Sequence, residues 1–127
     1  MKNILVSLLV ISASATVFAA QTMKCDVQMF VGNEVKVIQT ISVEKSSDPH
    51  GSVAIFKLTE FGGVSGMVAL MSGDTAVINL YSEQLSIGSS SFGVIANGQA
   101  AHHQLILPNV PGTGINGLVV DCAYVTN

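Results

Sequence analysis

SGMVALMSGDTAVINLYS, residues 65–82, contains two largely apolar runs separated by the tripeptide Ser-Gly-Asp at 72–74. In the second run every other residue is apolar, at Ala76, Ile78 and Leu80, and the residues between them are both polar and apolar. Alternation with a period of two is typical of a strand with one face in a core, and Gly and Asp favour tight turns. The stretch therefore predicts two antiparallel strands, residues 65–71 and 75–82, joined by a turn.

Short alternating runs of the same kind occur on both sides of this hairpin. They predict further strands at residues 23–31, 35–43, 53–61, 84–87, 92–96, 101–107 and 117–125. Asn97-Gly98, between the runs at 92–96 and 101–107, is the strongest hairpin signal, because both residue types tolerate a positive φ. No helical period is found in residues 20–127. The pattern predicts an all-β domain, a small antiparallel β-barrel or β-sandwich of eight or nine strands connected mainly as hairpins.

The first nineteen residues, MKNILVSLLVISASATVFA, have the pattern of a secretory signal peptide. Lys2 supplies the positive charge, an apolar run follows, and small residues flank a cleavage site after Ala19. The apolar run is too short for a membrane anchor, which needs about 20 residues. We therefore expect residues 1–19 to be removed and residues 20–127 to form one β-domain, exported to a bacterial periplasm or secreted. No transmembrane segment is expected in the mature chain, and its strands are short for a membrane barrel.

Cys25 and Cys122 are the two cysteines of the chain, in the first and last predicted strands. An even cysteine count in an exported protein indicates a disulfide. A reactive thiol pair normally has C-x-x-C spacing, and two thiols alone make a poor zinc site. A disulfide requires Cα atoms within about 7 Å, so the first and last strands are expected to be adjacent. This closure favours a closed or nearly closed barrel over an open sheet.

Charge is scarce throughout the chain. Hydrophobic residues make up 49% and charged residues 10%, with a formal net charge of −3 and no arginine. Such a balance argues against a disordered chain and against a basic surface for nucleic acid. The partner classes that remain are proteins, components of the cell envelope and apolar ligands.

His102-His103 is the most obvious place for chemistry in this sequence. Adjacent strand residues point to opposite faces, so the two imidazoles cannot readily share a metal ion. A metal site that combines one of these histidines with Asp121 or Asp74 stays open. A catalytic triad of a serine, a histidine and Asp121 also stays open, although the sequence has no G-x-S-x-G nucleophile elbow. We therefore assign no catalytic residue, metal ligand or cofactor and expect a protein that is not an enzyme.

Glycine- and serine-rich segments are the candidate binding loops, since function on β scaffolds concentrates at loop ends. Residues 88–91 are expected to form a turn. The candidates are Gly62, Gly63, Ser65, Ser89, Ser90, Ser91, Gly112 and Gly114. Asp26 and Asp121, each next to a cysteine, are expected on the solvent side of the terminal strands, where Lys24 or another cation would reduce their repulsion.

Three runs are apolar on both sides of their strand: residues 53–56, 67–71 and 105–107. Such runs indicate either a central strand under a loop or an outer face covered by a second subunit, a partner or a ligand. Our first hypothesis is an exported, non-catalytic domain that binds a protein or envelope component, with a homo-oligomer left open. The alternatives are a carrier of small apolar ligands, a periplasmic enzyme inhibitor, and a hydrolase or metalloenzyme.

The inhibitor alternative is based on the overall organisation of the chain, which is an exported β-domain of this size with one cysteine near each end. In architecture it resembles the periplasmic inhibitors of C-type lysozyme. That family carries a Ser-Gly loop motif with a nearby tyrosine. Here Ser65-Gly66 and Ser72-Gly73 match only the dipeptide, and Tyr81 lies too far along the chain. The resemblance therefore covers architecture alone and transfers no site residue.

Overall fold

The computed structural model describes residues 21–31, 33–58, 63–106 and 115–126. These residues form two four-stranded antiparallel sheets packed face to face, in the orders β2-β1-β8-β7 and β3-β4-β5-β6. We call the first the terminal sheet and the second the central sheet. The strands are β1 Thr22–Val31, β2 Glu34–Glu44, β3 Ser52–Leu58, β4 Val64–Met71, β5 Thr75–Ser82, β6 Ile87–Val94, β7 Ala101–Ile106 and β8 Ile115–Tyr124.

The strand order confirms the all-β prediction and decides between its two forms. Neighbouring strands follow one another as in an up-and-down barrel, with β8 returning beside β1. The backbone ladder is interrupted between β2 and β3 and again between β6 and β7. The protein is therefore a β-sandwich, and the closed barrel favoured by the joined chain ends is not formed.

β1 and β8 are antiparallel neighbours, as the two cysteines predict. Cys25 lies directly opposite Cys122, and the disulfide between them joins Cα atoms 4.1 Å apart. Both cysteines are fully buried, together with Met23 and Val27 on β1 and Val120 on β8. The disulfide is therefore part of the core between the sheets.

The core follows the alternation read from the sequence. In β5 the side chains of Ala76, Ile78 and Leu80 are fully buried, while Asn79 and Tyr81 are exposed. Leu118 on the terminal sheet and Ile95 in the chain between the sheets are also fully buried. The space between the sheets is thus filled by side chains of the protein itself.

Gly66 has a packing role that its sequence context did not indicate. It lies in β4, opposite Phe56 on β3, and the ring of Phe56 covers it. A Cβ atom added to Gly66 would lie 2.1 Å from Cζ of Phe56. Because Phe56 is 5% exposed, its ring has little room to move. Gly66 is therefore needed for the close approach of these two strands.

The structure corrects the prediction for residues 84–96. Residues 83–86 form a turn and not a short strand, and residues 88–91 lie within β6 and not in a turn. Gly88 is in a strand because the ring of Tyr81 lies over it, 2.9 Å from where a Cβ atom would be. Ser and Gly are read locally as turn residues, but here they are accommodated by neighbours on other strands.

Asn97-Gly98 forms a turn but not the predicted hairpin. Both residues have positive φ, 59° and 76°, within a short 3-10 turn at Ala96–Gly98. However, β6 belongs to the central sheet and β7 to the terminal sheet, so the flanking strands share no ladder. Ile95, whose N–H donates to the carbonyl of Asp74, enters the core at this corner and separates them.

Several predictions fall outside the described residues. These are the signal peptide at 1–19 and the candidate binding residues Gly62, Gly112 and Gly114. Gly63, another candidate, is described and has φ +82° just before β4. Within the described ranges, no helix has the length and apolar character needed to cross a membrane.

Reduction of the disulfide is expected to destabilise the fold strongly, because it releases a constraint across a sequence separation of 97 residues. The chain-entropy relation gives about 4–5 kcal/mol for a loop of this length, and losses of about 2–5 kcal/mol are usual. Denaturant unfolding of oxidised and reduced protein, followed by circular dichroism, measures the difference. Equal midpoints, with reduction verified by thiol titration, would contradict this expectation.

Gly66→Ala is expected to lower the free energy of unfolding by about 1–3 kcal/mol, the usual cost of overpacking a core. Gly93→Ala is the matched control, since its Cβ atom would meet the Ala101 side chain at 3.4 Å. Combining Gly66→Ala with Phe56→Leu should show a favourable coupling energy in a double-mutant cycle. Additive effects would mean that the two residues do not compete for the same space.

Candidate functional site

The outer face of the central sheet is largely apolar. Its strands contain one charged side chain, Lys57, and no acid. Cross-strand register aligns Val53, Ala69, Val77 and Phe92 in one row, and Ile55, Met67, Asn79 and Ser90 in the next. We define the apolar face by its hydrophobic members, which are Val53, Ile55, Met67, Ala69, Val77, Phe92 and Val94.

The apolar face is raised at its two edges and low in the middle. Ile55 on β3 and Phe92 on β6 are 80% and 79% exposed, whereas Ala69 on β4 is 3% exposed. A depression of about 210 Å³ lies beside this low centre, lined by Ile55, Ser65, Gly66, Met67, Asn79 and Tyr81. Exposed aromatic and branched side chains around a floor of small residues are suited to contact with another apolar surface.

The outer face of the terminal sheet is polar around the pair Asp26 and Asp121. Asp26 and Asp121 are opposite each other on β1 and β8, on the solvent side as predicted. Their repulsion is reduced by several donors: Thr40 Oγ1 lies 2.9 Å from Asp26, Gln28 Nε2 lies 2.9 Å from Asp121, and Lys24 Nζ lies 4.0 Å from Asp26. His102 Nδ1 also contacts Asp121. Each carboxylate therefore has partners within its own sheet.

His102 and His103 point to opposite faces of β7, as the strand geometry predicts. His102 is exposed beside Asp121, whereas His103 is 9% exposed and lies inside the sandwich. Atom Nε2 of His103 is 2.8 Å from Oγ of Ser89. Ser89 thus contacts His103, Asp121 contacts His102, and the terminal sheet lies between the two pairs. The described residues do not assemble a Ser-His-Asp triad.

The serines of β6 join the two sheets where their backbone ladder is interrupted. Ser89 bonds to His103, and Ser91 Oγ donates to the backbone carbonyl of His102 at 3.3 Å. Ser90 lies between them in sequence and faces outward. Side-chain hydrogen bonds here take the place of backbone pairing between β6 and β7. Ser89 and Ser91, expected in a binding loop, therefore have structural partners.

Asp74, Lys45 and Tyr124 connect three chain segments at one end of the sandwich. Asp74 Oδ1 accepts hydrogen bonds from Lys45 Nζ at 2.7 Å and from the Tyr124 hydroxyl at 2.5 Å. These two bonds lower the pKa of Asp74. Burial, followed by the bond to Asp74, raises the pKa of Tyr124 to about 12. Asp74 adopts φ +57° in the β4–β5 turn, a conformation that aspartate tolerates better than most residues.

Within residues 21–31, 33–58, 63–106 and 115–126, no three His, Cys, Asp or Glu side chains are grouped to hold an ion. Asp74 is occupied by Lys45 and Tyr124, and Asp121 by Gln28 and His102. The described groups therefore stabilise the fold by contacting one another.

The candidate binding residues that the structure describes are Gly63, just before β4, Ser65 in β4, and three serines in β6. Ser65 is in β4 at the rim of the depression, and Ser89, Ser90 and Ser91 are in β6 at the edge of the central sheet. The sequence reading missed Phe92 and Val94 as members of an outer face. The available signal was the two-sided character of residues 53–56 and 67–71, which predicted a covered face without showing which edge residues would complete it.

His103 is expected to make stability depend on pH between neutral and mildly acidic conditions. Burial lowers its pKa below the ordinary value, a hydrogen bond to the Ser89 backbone opposes this, and repulsion by His102 adds to it. The unfolded chain then binds the proton more readily, so stability is fully present above about pH 6.5 and is lost as the pH falls through the folded pKa.

His103→Gln keeps hydrogen-bonding capacity toward Ser89 but cannot be protonated in this range. We expect its free energy of unfolding, measured by denaturant titration from pH 8 to pH 5, to fall less than that of the wild type. His50 and His102 are present in both proteins, so the difference isolates His103. Parallel pH profiles would show that His103 does not couple protonation to folding.

Comparison with known proteins adds no residue to these sites. No family model matches this chain, and no curated protein and no solved structure matches it either. The functional assignment therefore depends on the geometry of the sandwich and of its outer faces.

Proposed function

We propose that this protein is an exported, non-catalytic β-sandwich that binds a protein or envelope component through the apolar face. The observation that carries the proposal is the exposure of Ile55 and Phe92, 80% and 79%, on a sheet face with Lys57 as its one charged side chain. Exposed apolar area of this kind is costly in water and marks interaction surfaces in folded proteins.

The distribution of polar groups supports this surface over the others. Asp26 and Asp121 of the terminal sheet and Asp74 of the β4–β5 turn contact neighbouring side chains. The outer face of the central sheet combines its exposed apolar side chains with a single charged residue, Lys57. A binding role accounts for these features better than an activity built on His102 or His103.

The packing between the sheets supports binding on an outer face over carriage of a small molecule inside. Fully buried side chains from both sheets fill the interior, including Met23, Leu70, Ile78, Leu80, Ile95 and Leu118. Export is supported by the buried disulfide, because such bonds persist in oxidising compartments.

Site-specific photo-crosslinking in the cells that produce the protein tests the proposal. A photoreactive amino acid at position 92 or 55 should give covalent adducts with the bound macromolecule. Position 106 is the matched control, since Ile106 is 70% exposed but lies on the outer face of the terminal sheet. Mass spectrometry of the adduct identifies what is bound.

Adducts at positions 92 and 55, and their absence at 106, are the expected result. If all three positions give the same adducts, the contact is not specific to the apolar face. If none gives an adduct while the protein is folded and present in normal amounts, the binding proposal fails.

A further inference from the structure

We propose that the sandwich opens between β6 and β7 when acid protonates His103, so that its interior is exposed along one side while both sheets stay intact. We call this boundary the seam and define it by Ser89 and Ser91 on β6 and His102 and His103 on β7. The proposal does not depend on what binds the apolar face. It depends on how the seam is held, on what surrounds His103, and on where water can reach that ring.

The seam is held by side chains, because β6 and β7, both described in full, share no backbone ladder. Ser89 Oγ lies 2.8 Å from Nε2 of His103, and Ser91 Oγ donates to the backbone carbonyl of His102 at 3.3 Å. Each strand has its own ladder on the other side, β6 with β5 and β7 with β8. Separation of β6 from β7 therefore breaks these two hydrogen bonds and some apolar packing but no ladder, and it costs less than unfolding a sheet.

The strands packed against β7 are β5, β6 and β8, and they place no carboxylate beside His103. Among their described inward residues, and apart from the disulfide, Tyr124 at the end of β8 is the one titratable group. Its hydroxyl donates to Asp74, which also accepts from Lys45, at that end of the sandwich. Val120, and not Tyr124, lies opposite His103 on β8.

The charged groups nearest to His103 along its own sheet lie on the opposite face. His102 precedes it on β7 and is exposed on the outer face, where it contacts Asp121 of β8. Asp121 also accepts a hydrogen bond from Gln28 on that face. The sheet backbone separates these groups from the ring of His103. A protonated His103 would therefore have no counter-ion among the described residues inside the sandwich.

Protonation changes the charge that the interior must accommodate, and the hydrogen bond to Ser89 survives it. A serine hydroxyl accepts from a protonated imidazole and donates to a neutral one. A positive charge in an apolar interior without a counter-ion is costly, however. Burial accordingly lowers the pKa of His103, a hydrogen bond to the Ser89 backbone opposes this, and repulsion by His102 adds to it. Acid therefore favours a conformation in which water reaches the ring.

The seam is the direct route for water to His103. The side chain is 9% exposed, so it lies just below the surface, and its partner Ser89 belongs to the edge strand of the central sheet. β7 is in turn the edge strand of the terminal sheet. When the two edges separate, the ring faces solvent, whereas any other route passes through a ladder or through the core. Opening of the seam therefore hydrates the protonated ring with the least disruption.

The population of the open form should rise as the pH falls. In the open form His103 is hydrated and has the ordinary pKa of about 6.5, whereas in the closed form its pKa is lower. The open form thus binds the proton more readily. Its population relative to the closed form should increase up to about tenfold for each pH unit below about 6.5, until the pH reaches the pKa of the closed form.

Spin labels on the two sides of the seam test the proposal. The full chain carrying Ser90→Cys and Ile106→Cys is expressed with export and labelled, and pulsed electron paramagnetic resonance measures the distance between the labels from pH 8 to pH 4.5. Both positions are exposed on outer faces, one on β6 and one on β7, and the native disulfide is fully buried. Ser90→Cys with Ile55→Cys is the control pair, because both positions lie on the central sheet.

We expect a second, longer distance across the seam below about pH 6.5, and one distance at every pH within the central sheet. His103→Gln keeps a hydrogen-bonding partner for Ser89 but takes up no proton, so its seam distance should not change with pH. His102→Gln is the matched control, since Ser91 bonds to the backbone carbonyl at position 102, and it should open as the wild type does.

An unchanged seam distance down to pH 4.5 would overturn the proposal, as would an equal response to acid in His103→Gln. A control pair that loses its single distance at the same pH would also overturn it, because the whole fold would then be opening. If His103→Gln does not fold, an imidazole NMR titration of the wild type replaces it. The protonation of His103 and the longer distance should then have the same midpoint, and different midpoints would contradict the proposal.

Discussion

The antiparallel pairing of β1 with β8, closed by Cys25–Cys122, is the constraint on which the rest of the sandwich depends. It joins two hairpins from opposite ends of the chain into the terminal sheet and gives that sheet its continuous apolar inner face. The central sheet packs against this inner face. The same pairing places Asp26 opposite Asp121. It also brings Tyr124 to the end of the sandwich, where its hydroxyl donates a hydrogen bond to Asp74.

The interruption of the ladder between β6 and β7 gives hydroxyl and imidazole groups a structural role in this charge-poor chain. Where β6 passes to β7, Ser89 and Ser91 bond to His103 and to the carbonyl of His102, so polar groups near the edge of each sheet are satisfied. A catalytic interpretation of these residues is natural from sequence, because serine and histidine are common in active sites. Their geometry instead gives them a role in holding the sheets together.

Features set by local alternation or by the disulfide were predictable, and features set by the register of other distant strands were not. Alternation located Ala76, Ile78 and Leu80 in the core and His102 and His103 on opposite faces, and cysteine placement predicted adjacent terminal strands. Gly88 was misread because its environment is the ring of Tyr81, and Asn97-Gly98 because a local turn does not decide which strands pair. The two-sided runs predicted a covered outer face, but Phe92 and Val94 were missed as its members because the rows combine four strands whose register no local pattern specifies.

The two sheets differ in when their strands become available during synthesis. The central sheet is one uninterrupted segment, from Ser52 to Val94, whose neighbours in space are also neighbours in sequence. The terminal sheet cannot be completed until β8 has been made and the thiol of Cys122 can reach Cys25. Sheets built from local hairpins form faster than sheets that need the chain ends to meet. We therefore expect the central sheet to form first, and its inner apolar surface to be covered only when β8 pairs with β1 and Cys122 is oxidised.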